Sequence, residues 1–396
     1  MSSILDFNID TSVNSGDNRH PTPHDTRVHN FSAGPGCLPL NALTELQDEL
    51  VSYEHSGMSL LEMSHRIEGG PVQKTMTDTC QLVKDLLKVP DNYHILLFPG
   101  GAHAQFAAGP LNLANVNKKI DFVDTGVWGK KAMVEARKYA DVQACATVTN
   151  AIVPSSEWKY RSDADYIHLC LNETISGIEY LADPVLPEGA PFIVADATST
   201  LFSRPIDISR YGLIYCSAGK NIGPAGVCIV IVRDDLITAR DANPYTPGIL
   251  SYKEAAFSQP IPSVYNTPPV FQIFFTKKIL LNYFNQGGMS TMETCAIKKS
   301  SIIYDIVKNS NGFYVNHIDI PSRSRMNVCF TISRTNVMEL EDLFIEEAKT
   351  YNMYQLEKHP LYYKSGGLRI TIYNNCPDEA VACIAEFMHT FAEKYQ

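Results

Sequence analysis

An alternation of helical stretches with short apolar runs is the feature that most constrains what this chain can fold into. Amphipathic patterns, at residues 42–56 and from Val72 to Lys88, accompany four clear apolar runs: HILLF (94–98), KIDFV (119–123), YIHLCL (166–171) and FIVAD (192–196). Short runs that are apolar throughout are typical of strands covered on both faces. Because strands that alternate with helices assemble into parallel sheets, the sequence predicts an α/β fold with a mainly parallel sheet.

The pattern changes after about residue 290. Two strand-like segments, MNVCFTIS (326–333) and LRITIYN (368–374), lie there among three helical patterns at residues 291–310, 339–351 and 377–395. This arrangement predicts a small C-terminal α+β domain over residues 291–396, after a large domain over residues 40–290. Residues 1–29 are polar and lack a sustained periodicity, so we expect a flexible N-terminal tail.

Composition narrows the classes of function. Asp and Glu outnumber Lys and Arg by 43 to 33 in 396 residues, and a net charge of −10 argues against a nucleic-acid-binding protein. The ten cysteines form no C-x-x-C pair, so we expect reduced thiols, a cytoplasmic protein and no metal site. The N-terminus lacks a secretory pattern, and no stretch is apolar over about 18 residues, which argues against membrane association.

A Gly-rich connection with a single lysine, AGKNIGPAG (218–226), joins two strongly apolar runs. A lysine beside glycine is usually an exposed loop residue, and Lys220 has a chemical role only if other groups hold an aldehyde cofactor next to it. Asp196 ends a predicted strand, and α/β proteins bind ligands beyond the carboxyl ends of strands. Asp196 is therefore a candidate partner for a pyridinium nitrogen, with a helix N-cap as the alternative.

Another predicted strand end, FPGGAHAQF (98–106), has two glycines followed by a helical start that includes Ala102 and His103. Free N–H groups and the positive end of the helix dipole bind anions at such a turn. The turn does not match G-x-G-x-x-G, and the lysine connection is not a P-loop because Asn221 replaces the Ser or Thr. The pattern therefore favours a lone phosphate over a nucleotide.

Two more segments place aromatic or polar groups past strand ends. Trp128 follows KIDFV, a position from which an indole ring can stack on another aromatic ring. Thr174 follows YIHLCL together with Asn172 and Glu173, and its hydroxyl suits a cofactor's oxygens. Each signal is weak alone, but four predicted strand ends with polar groups now surround one lysine.

Taken in order, the motifs resemble those of the phosphoserine aminotransferases, a class-V family of pyridoxal 5′-phosphate enzymes with fold type I. The resemblance extends from residue 30 to about residue 395 through NFSAGPGCLP, EMSHR, the GG-x-x-x-QF turn, TGVW, CLNETISGI, VADATSTLFSRPIDISRYGLIY, AGKNIGPAG, YNTPP, SRSRMNV and GGLRITIYN. It implies a large domain with a mainly parallel seven-stranded sheet and a small C-terminal α+β domain. It also implies that residues 30–39 pack with the small domain.

The resemblance implies roles for individual residues. Lys220 would form the Schiff base with pyridoxal phosphate and act as general acid and base, Asp196 would pair with the pyridine nitrogen, and Trp128 would stack on the ring. Asn266 and Thr267 match groups that a neighbouring chain supplies, which implies a homodimer with two shared active sites. The other implied cofactor contacts are Ala102, His103, Thr174 and Gly219.

The implied reaction moves an amino group from L-glutamate to 3-phosphohydroxypyruvate and gives O-phospho-L-serine and 2-oxoglutarate. Arg369 matches the family arginine that binds the substrate's α-carboxylate with two N–H groups, a geometry that an ammonium group does not offer. His65 and Arg66 match the pair that reaches the distal anionic end of the substrate, and His359 is predicted to contribute there.

Four positions depart from the family pattern near the substrate and the cofactor: Gly219 for a Gln, His103 for an Arg, Ala33 for a Ser, and Pro360 for the Arg of a His-Arg pair. A lost bidentate arginine removes about 1.5 to 3 kcal/mol of charged hydrogen bonding, which is enough to change the preferred acceptor. One alternative is therefore a transaminase for a different 2-oxo acid. The others are a pyridoxal phosphate-dependent lyase and a non-catalytic relative, and the lysine with its aspartate argues against the latter.

Overall fold

A computed structural model describes residues 27–333, 337–357 and 367–396, so most of the predicted tail lies outside the described residues. The strands in these ranges are β1 (His29–Asn30), β2 (Tyr93–Gly100), β3 (Lys119–Asp124), β4 (Asp141–Thr147), β5 (Tyr166–Cys170), β6 (Asn172–Glu173), β7 (Ile178–Glu179), β8 (Ile193–Asp196), β9 (Tyr211–Ser217), β10 (Gly226–Arg233), β11 (Tyr314–Val315), β12 (Asn327–Ile332), β13 (Met353–Tyr354) and β14 (Leu368–Thr371). The α-helices are α1 (Leu40–Val51), α2 (Pro71–Leu87), α3 (Ala102–Leu113), α4 (Val127–Ala136), α5 (Asp235–Thr238), α6 (Tyr252–Ala256), α7 (Val270–Asn285), α8 (Met289–Asn309), α9 (Val337–Thr350) and α10 (Asp378–Tyr395). Within the described ranges, no helix has the length and apolar character needed to cross a membrane.

A sheet of seven strands forms the centre of the fold, in the order β2-β10-β9-β8-β5-β3-β4. Strand β10 is antiparallel to both of its neighbours, and every other pairing in this sheet is parallel. The prediction of a mainly parallel sheet is therefore confirmed. The four clearest apolar runs form β2, β3, β5 and β8, and the lysine connection joins β9 to β10.

Helices cover both faces of this sheet, which explains why its inner strands are largely apolar. Successive residues of a strand point to opposite faces. Leu97 and Ile229 belong to the core cluster that includes residues of α2 and α7, whereas Leu96 and Val230 belong to the cluster that includes residues of α3 and α4. Both faces of the inner strands thus exclude water, and the carboxyl ends of the parallel strands are left to meet a ligand.

The C-terminal part forms a second sheet, with β11, β12 and β14 paired antiparallel. Its core includes residues of α8, α9 and α10, together with Phe31 from the N-terminal segment. That segment adds β1, which pairs parallel with β13, and the hydroxyl of Tyr373 donates to the carbonyl of Ala33 at 2.8 Å. These contacts support our proposal that residues 30–39 pack with a small domain that begins near residue 291.

The predicted helix over residues 42–56 is wrong at its C-terminal end. Helix α1 ends at Val51, and Ser52 has a non-helical backbone with φ −149° and ψ 89°. The Tyr53 ring is buried and packs edge-on against Phe274, 5.8 Å between ring centroids, while Glu54 has a left-handed φ of 47°. Burial of the tyrosine outweighs continuation of the helix.

Candidate active site

One cavity of about 310 Å³ lies where four strand ends of the central sheet meet the N-terminal segment. Six of the predicted site residues line it: Ala102, His103, Trp128, Asp196, Gly219 and Lys220. Two other cavities, of about 580 and 600 Å³, are larger, but no predicted site residue lines either of them. The chemistry predicted from the sequence therefore converges on the smaller cavity, whose volume suits a small ligand.

Lys220 lies on the turn that joins β9 to β10, and contacts from three directions fix this turn. The N–H of Gly36 donates to the carbonyl of Gly219 at 3.1 Å, and a Cβ at Gly36 would overlap the Lys220 carbonyl. Asn221 is fully buried, donates to Leu201 O and accepts from the backbone N–H of Asn374. Burial lowers the pKa of Lys220, and the Asp196 carboxylate opposes this shift. A lysine of lowered pKa is a better base near neutral pH.

Asp196 is the last residue of β8 and its side chain is buried. The residues that follow form a turn, so the alternative that Asp196 caps a helix is wrong. Its Oδ1 accepts a hydrogen bond from the backbone N–H of Thr198 at 3.0 Å. Burial raises the pKa of Asp196, while the bonds from Thr198 and the charge of Lys220 favour the ionised form. A cation bound in the cavity would favour the carboxylate further.

Trp128 is the second residue of α4, which begins shortly after β3 ends. Its indole Nε1 donates to Thr174 Oγ1 at 3.1 Å, and the Lys220 Nζ lies 5.0 Å from the ring centroid. The ring of His103 meets the indole edge-on, with 6.0 Å between centroids. Thr174 thus holds the tryptophan and is not itself among the residues that line the cavity.

The N-terminus of α3 forms another wall. The glycines before it give the turn its shape, because Gly100 has a φ of 103° and Gly101 is the extended N-cap. A Cβ at Gly101 would lie 3.4 Å from the Ser217 hydroxyl, so Gly101 and the end of β9 face each other at this wall of the cavity. The first N–H groups of a helix have no intrahelical partner, so the backbone at Ala102 and His103 offers donors to an anion.

Arg369 lies on β14 as a buried guanidinium. Its Nη1 donates to the carbonyl of Thr174 at 3.0 Å, and its Nε has no hydrogen-bond partner. No carboxylate in the described ranges forms an ion pair with it. Because a buried charge without a counter-ion is costly, this guanidinium is a candidate site for an anionic ligand next to the Trp128–Thr174 pair.

Other predicted residues do not reach the cavity of this chain. Asn266 and Thr267 are exposed, and neither they nor His65, Arg66 and Arg369 line it. The Nε2 of His65 is buried without a hydrogen-bond partner, and burial together with the Arg66 charge lowers the pKa of this histidine. His359 and Pro360 lie outside the described residues.

The structure adds cavity residues that the sequence-based predictions missed. Three polar ones lie at or within three residues of a strand end: Thr198 and Ser199 after β8, and Ser217 at the end of β9. Inspecting every polar residue at a predicted strand end would have found them. Asn172, which the sequence indicated together with Thr174, also lines the cavity. The other missed lining residues are Gly34, Pro35, Phe106, Cys170 and Ala225.

Known proteins resemble this chain in both sequence and fold. Residues 28–350 match the family Aminotransferase class-V. A phosphoserine aminotransferase of Laribacter hongkongensis is 41% identical over 372 residues, which cover 93% of this chain and 99% of the relative. The phosphoserine aminotransferase structure from Bacillus circulans subsp. alkalophilus superimposes with a TM-score of 0.87 at 35% identity, covering 93% of this chain and 99% of that one. The pyridoxal phosphate-bound phosphoserine aminotransferase from Trichomonas vaginalis gives 0.84 at 32% identity, covering 92% and 100%.

Proposed function

The chain belongs to the class-V aminotransferases and, within them, to the phosphoserine aminotransferase family; on that premise we propose that it transfers the amino group of L-glutamate to 3-phosphohydroxypyruvate. The products are O-phospho-L-serine and 2-oxoglutarate, and we place this reaction in the cytoplasm. The observation that carries the proposal is that Lys220, Asp196 and Trp128 line one cavity.

Pyridoxal phosphate is the cofactor, and the residues of the cavity fit it. The chain offers an amine for an aldehyde, a buried carboxylate for a pyridine nitrogen, an indole for a ring face and a helix N-terminus for a phosphate. When bound, the cofactor accepts the electron pair that remains on the substrate's Cα after a proton leaves. Lys220, Asp196, Trp128 and the N–H groups of Ala102 and His103 would hold it, and Thr174 would act with Trp128.

Lys220 carries the proton in this proposal. Its Nζ removes the proton from the Cα of the amino acid and delivers a proton on the way to the oxo acid. The lowered pKa of this amine supports the role, because the neutral form that accepts a proton is then more populated. Asp196 keeps the pyridine nitrogen protonated, a role supported by its burial and by the donors that favour its ionised form.

We propose further that two copies of the chain form a homodimer with shared active sites. Asn266 and Thr267 are exposed in one chain, and in the dimer they would reach the cofactor phosphate bound by the partner. The segment that carries them exposes four large apolar side chains, which a dimer interface would cover: Tyr245, Ile249, Phe257 and Tyr265.

Arg369 binds the substrate's α-carboxylate in this proposal, and its unpaired buried Nε supports that role. Replacing it with lysine removes the bidentate geometry and keeps the charge. We expect Arg369→Lys to raise the KM for glutamate about 10- to 100-fold, with a smaller change in kcat.

Arg325 offers the matched control for this substitution, because its guanidinium is ion-paired with Glu293 at 2.8 Å. Steady-state kinetics of Arg369→Lys and Arg325→Lys separate the loss of carboxylate binding from the general effect of replacing an arginine with lysine. An unchanged KM in Arg369→Lys, or an equal rise in both variants, would contradict carboxylate binding by Arg369.

Acceptor preference tests the proposed reaction as a whole. His65, Arg66 and His359 would bind the distal anion, and we expect kcat/KM for 3-phosphohydroxypyruvate to exceed that for unphosphorylated 2-oxo acids by about 100-fold. The presence of His103 and Gly219 on the cavity wall favours the alternative of a different 2-oxo acid, which predicts equal or higher rates with an unphosphorylated acceptor. Measuring 2-oxoglutarate in the same assays distinguishes both transaminase alternatives from a lyase. A lyase would not form 2-oxoglutarate in proportion to the glutamate consumed.

A further inference from the structure

A second buried carboxylate lies behind the Trp128 side of the cavity, and the proposed reaction gives it no role. Glu173 is the last residue of β6, directly before Thr174, and only 1% of it is exposed. No lysine, arginine or histidine in the described part of the chain forms an ion pair with it. A buried carboxylate in this situation needs hydrogen-bond donors from elsewhere.

The first turn of α4 and the nearby Thr125 supply those donors. Glu173 Oε1 accepts from Gly129 N at 2.9 Å and from Thr125 Oγ1 at 3.0 Å, and Oε2 accepts from Trp128 N at 3.2 Å. These backbone N–H groups have no partner inside the helix, and a negative charge near them also interacts favourably with the helix dipole. Burial raises the pKa of Glu173, while the three hydrogen bonds favour its ionised form.

The backbone around this carboxylate is shaped to admit it. Gly126 has a φ of 147°, and a Cβ there would lie 3.1 Å from Glu173 Cδ. At Gly129, a Cβ would lie 2.9 Å from Thr125 Oγ1, one of the three donors. The approach of Glu173 to α4 therefore depends on two glycines, as expected of a specific contact.

Two consecutive residues consequently hold the same tryptophan, Glu173 through the backbone N–H and Thr174 through the indole Nε1. We propose that Glu173 is a positioning residue: its carboxylate fixes the start of α4 and so sets the plane of the Trp128 ring against the cavity. The inference rests on the proposed function in one respect, because it assigns this ring to the cofactor.

The chain contains a matched control in Glu179, which lies in the strand paired with β6. Glu179 is equally buried, and its carboxylate accepts from Arg325 N at 2.7 Å and from Thr200 Oγ1 at 2.8 Å. It does not line the cavity. Replacing either glutamate with glutamine removes a buried carboxylate from the same strand pair, but only Glu173→Gln loosens the tryptophan.

The experiment uses Trp158→Phe as background, so that Trp128 is the only tryptophan of the chain. In the full-length protein freed of cofactor, we expect Glu173→Gln to lower the fluorescence anisotropy of Trp128 and to increase its quenching by acrylamide. We expect Glu179→Gln to change neither. Titration with pyridoxal phosphate, followed by cofactor absorbance, should give a Kd about ten-fold higher for Glu173→Gln and an unchanged Kd for Glu179→Gln.

Equal anisotropy and equal Kd in the two glutamine variants would overturn the proposal. If Glu173→Gln does not fold, Thr125→Val tests the proposal instead, because it removes one donor to Glu173. A smaller fall in the anisotropy of Trp128 supports the proposal, and an unchanged anisotropy overturns it. Trp128→Phe, titrated by absorbance, separates the premise from the inference. An unchanged Kd in that variant refutes the assignment of the ring to the cofactor, while the anisotropy of the cofactor-free protein still decides whether Glu173 positions Trp128.

Discussion

Replacing Lys220 with alanine is expected to lower kcat for glutamate by about 10,000-fold. Alanine provides neither an amine for the cofactor nor a base for the proton at the substrate's Cα. The turn itself should persist, because it is held by backbone and Asn221 contacts that do not involve the Lys220 ammonium. Single-turnover absorbance with glutamate measures the loss, and the melting temperature of the cofactor-free protein reports the fold.

Lys131 provides the control for this substitution. Its Nζ lies 4.6 Å from the Trp128 ring centroid, compared with 5.0 Å for Lys220, so both ammonium groups contact the same indole. Only Lys220 lines the cavity. We therefore expect Lys131→Ala to keep kcat within about three-fold of the parent. A Lys220→Ala variant that retained a similar rate would contradict the proton-transfer role.

Local patterns were sufficient to predict six of the seven strands of the central sheet, because strands buried on both faces are largely apolar. They missed the edge strand β4, which is mostly not buried. The run FIVAD became β8, with Asp196 at its end, where the topology brings it to the cavity. The end of α1 was not predictable in this way. The amphipathic pattern continues past Val51, and only the long-range contact of Tyr53 with Phe274 shows why the helix stops.

The residues of the site also differ in whether a local pattern or a long-range contact determines their place. Lys220, Asp196 and Trp128 each lie at or shortly after the end of a strand, so the sequence indicated where they lie and the structure brings them to one cavity. Glu173 was interpreted only as a polar neighbour of Thr174, because its hydrogen bonds to α4 join segments more than 40 residues apart. No pattern within one segment encodes such a contact. Asn266 and Thr267 are exposed in one chain, and the contribution that we propose for them across a dimer is not something that periodicity describes.

The carboxylate of Asp196 and the amine of Lys220 influence each other's ionisation. The charge of Asp196 raises the pKa of Lys220, and the charge of Lys220 lowers that of Asp196, each against the effect of burial. A substitution at Asp196 should therefore change both the rate and its pH dependence.

Asp196→Asn is expected to lower kcat by about 100- to 1,000-fold, because a neutral amide cannot stabilise positive charge at the pyridine nitrogen. The substitution should also change the pH dependence of kcat, because the Asp196 charge raises the pKa of Lys220. Removing the negative charge lowers the pKa of Lys220 further, so the limb of the pH profile along which kcat rises as the lysine loses its proton should move to lower pH. A pH series of kcat measures both effects.

Asp183→Asn is the appropriate comparison for Asp196→Asn. The Asp183 carboxylate pairs with Arg204 at 2.9 Å and accepts from the Tyr211 hydroxyl, but it does not line the cavity. Losing that ion pair should lower the melting temperature and leave the acidic limb of the profile in place, since Asp183 is not among the main groups that shift the pKa of Lys220. One outcome is that Asp196→Asn lowers only the melting temperature, as Asp183→Asn should, and leaves the acidic limb of the pH profile unmoved. That result would make the Asp196 carboxylate a buried structural group. A shifted limb together with a lowered kcat would instead tie Asp196 to the charge that develops in the cavity and to the lysine that moves the proton.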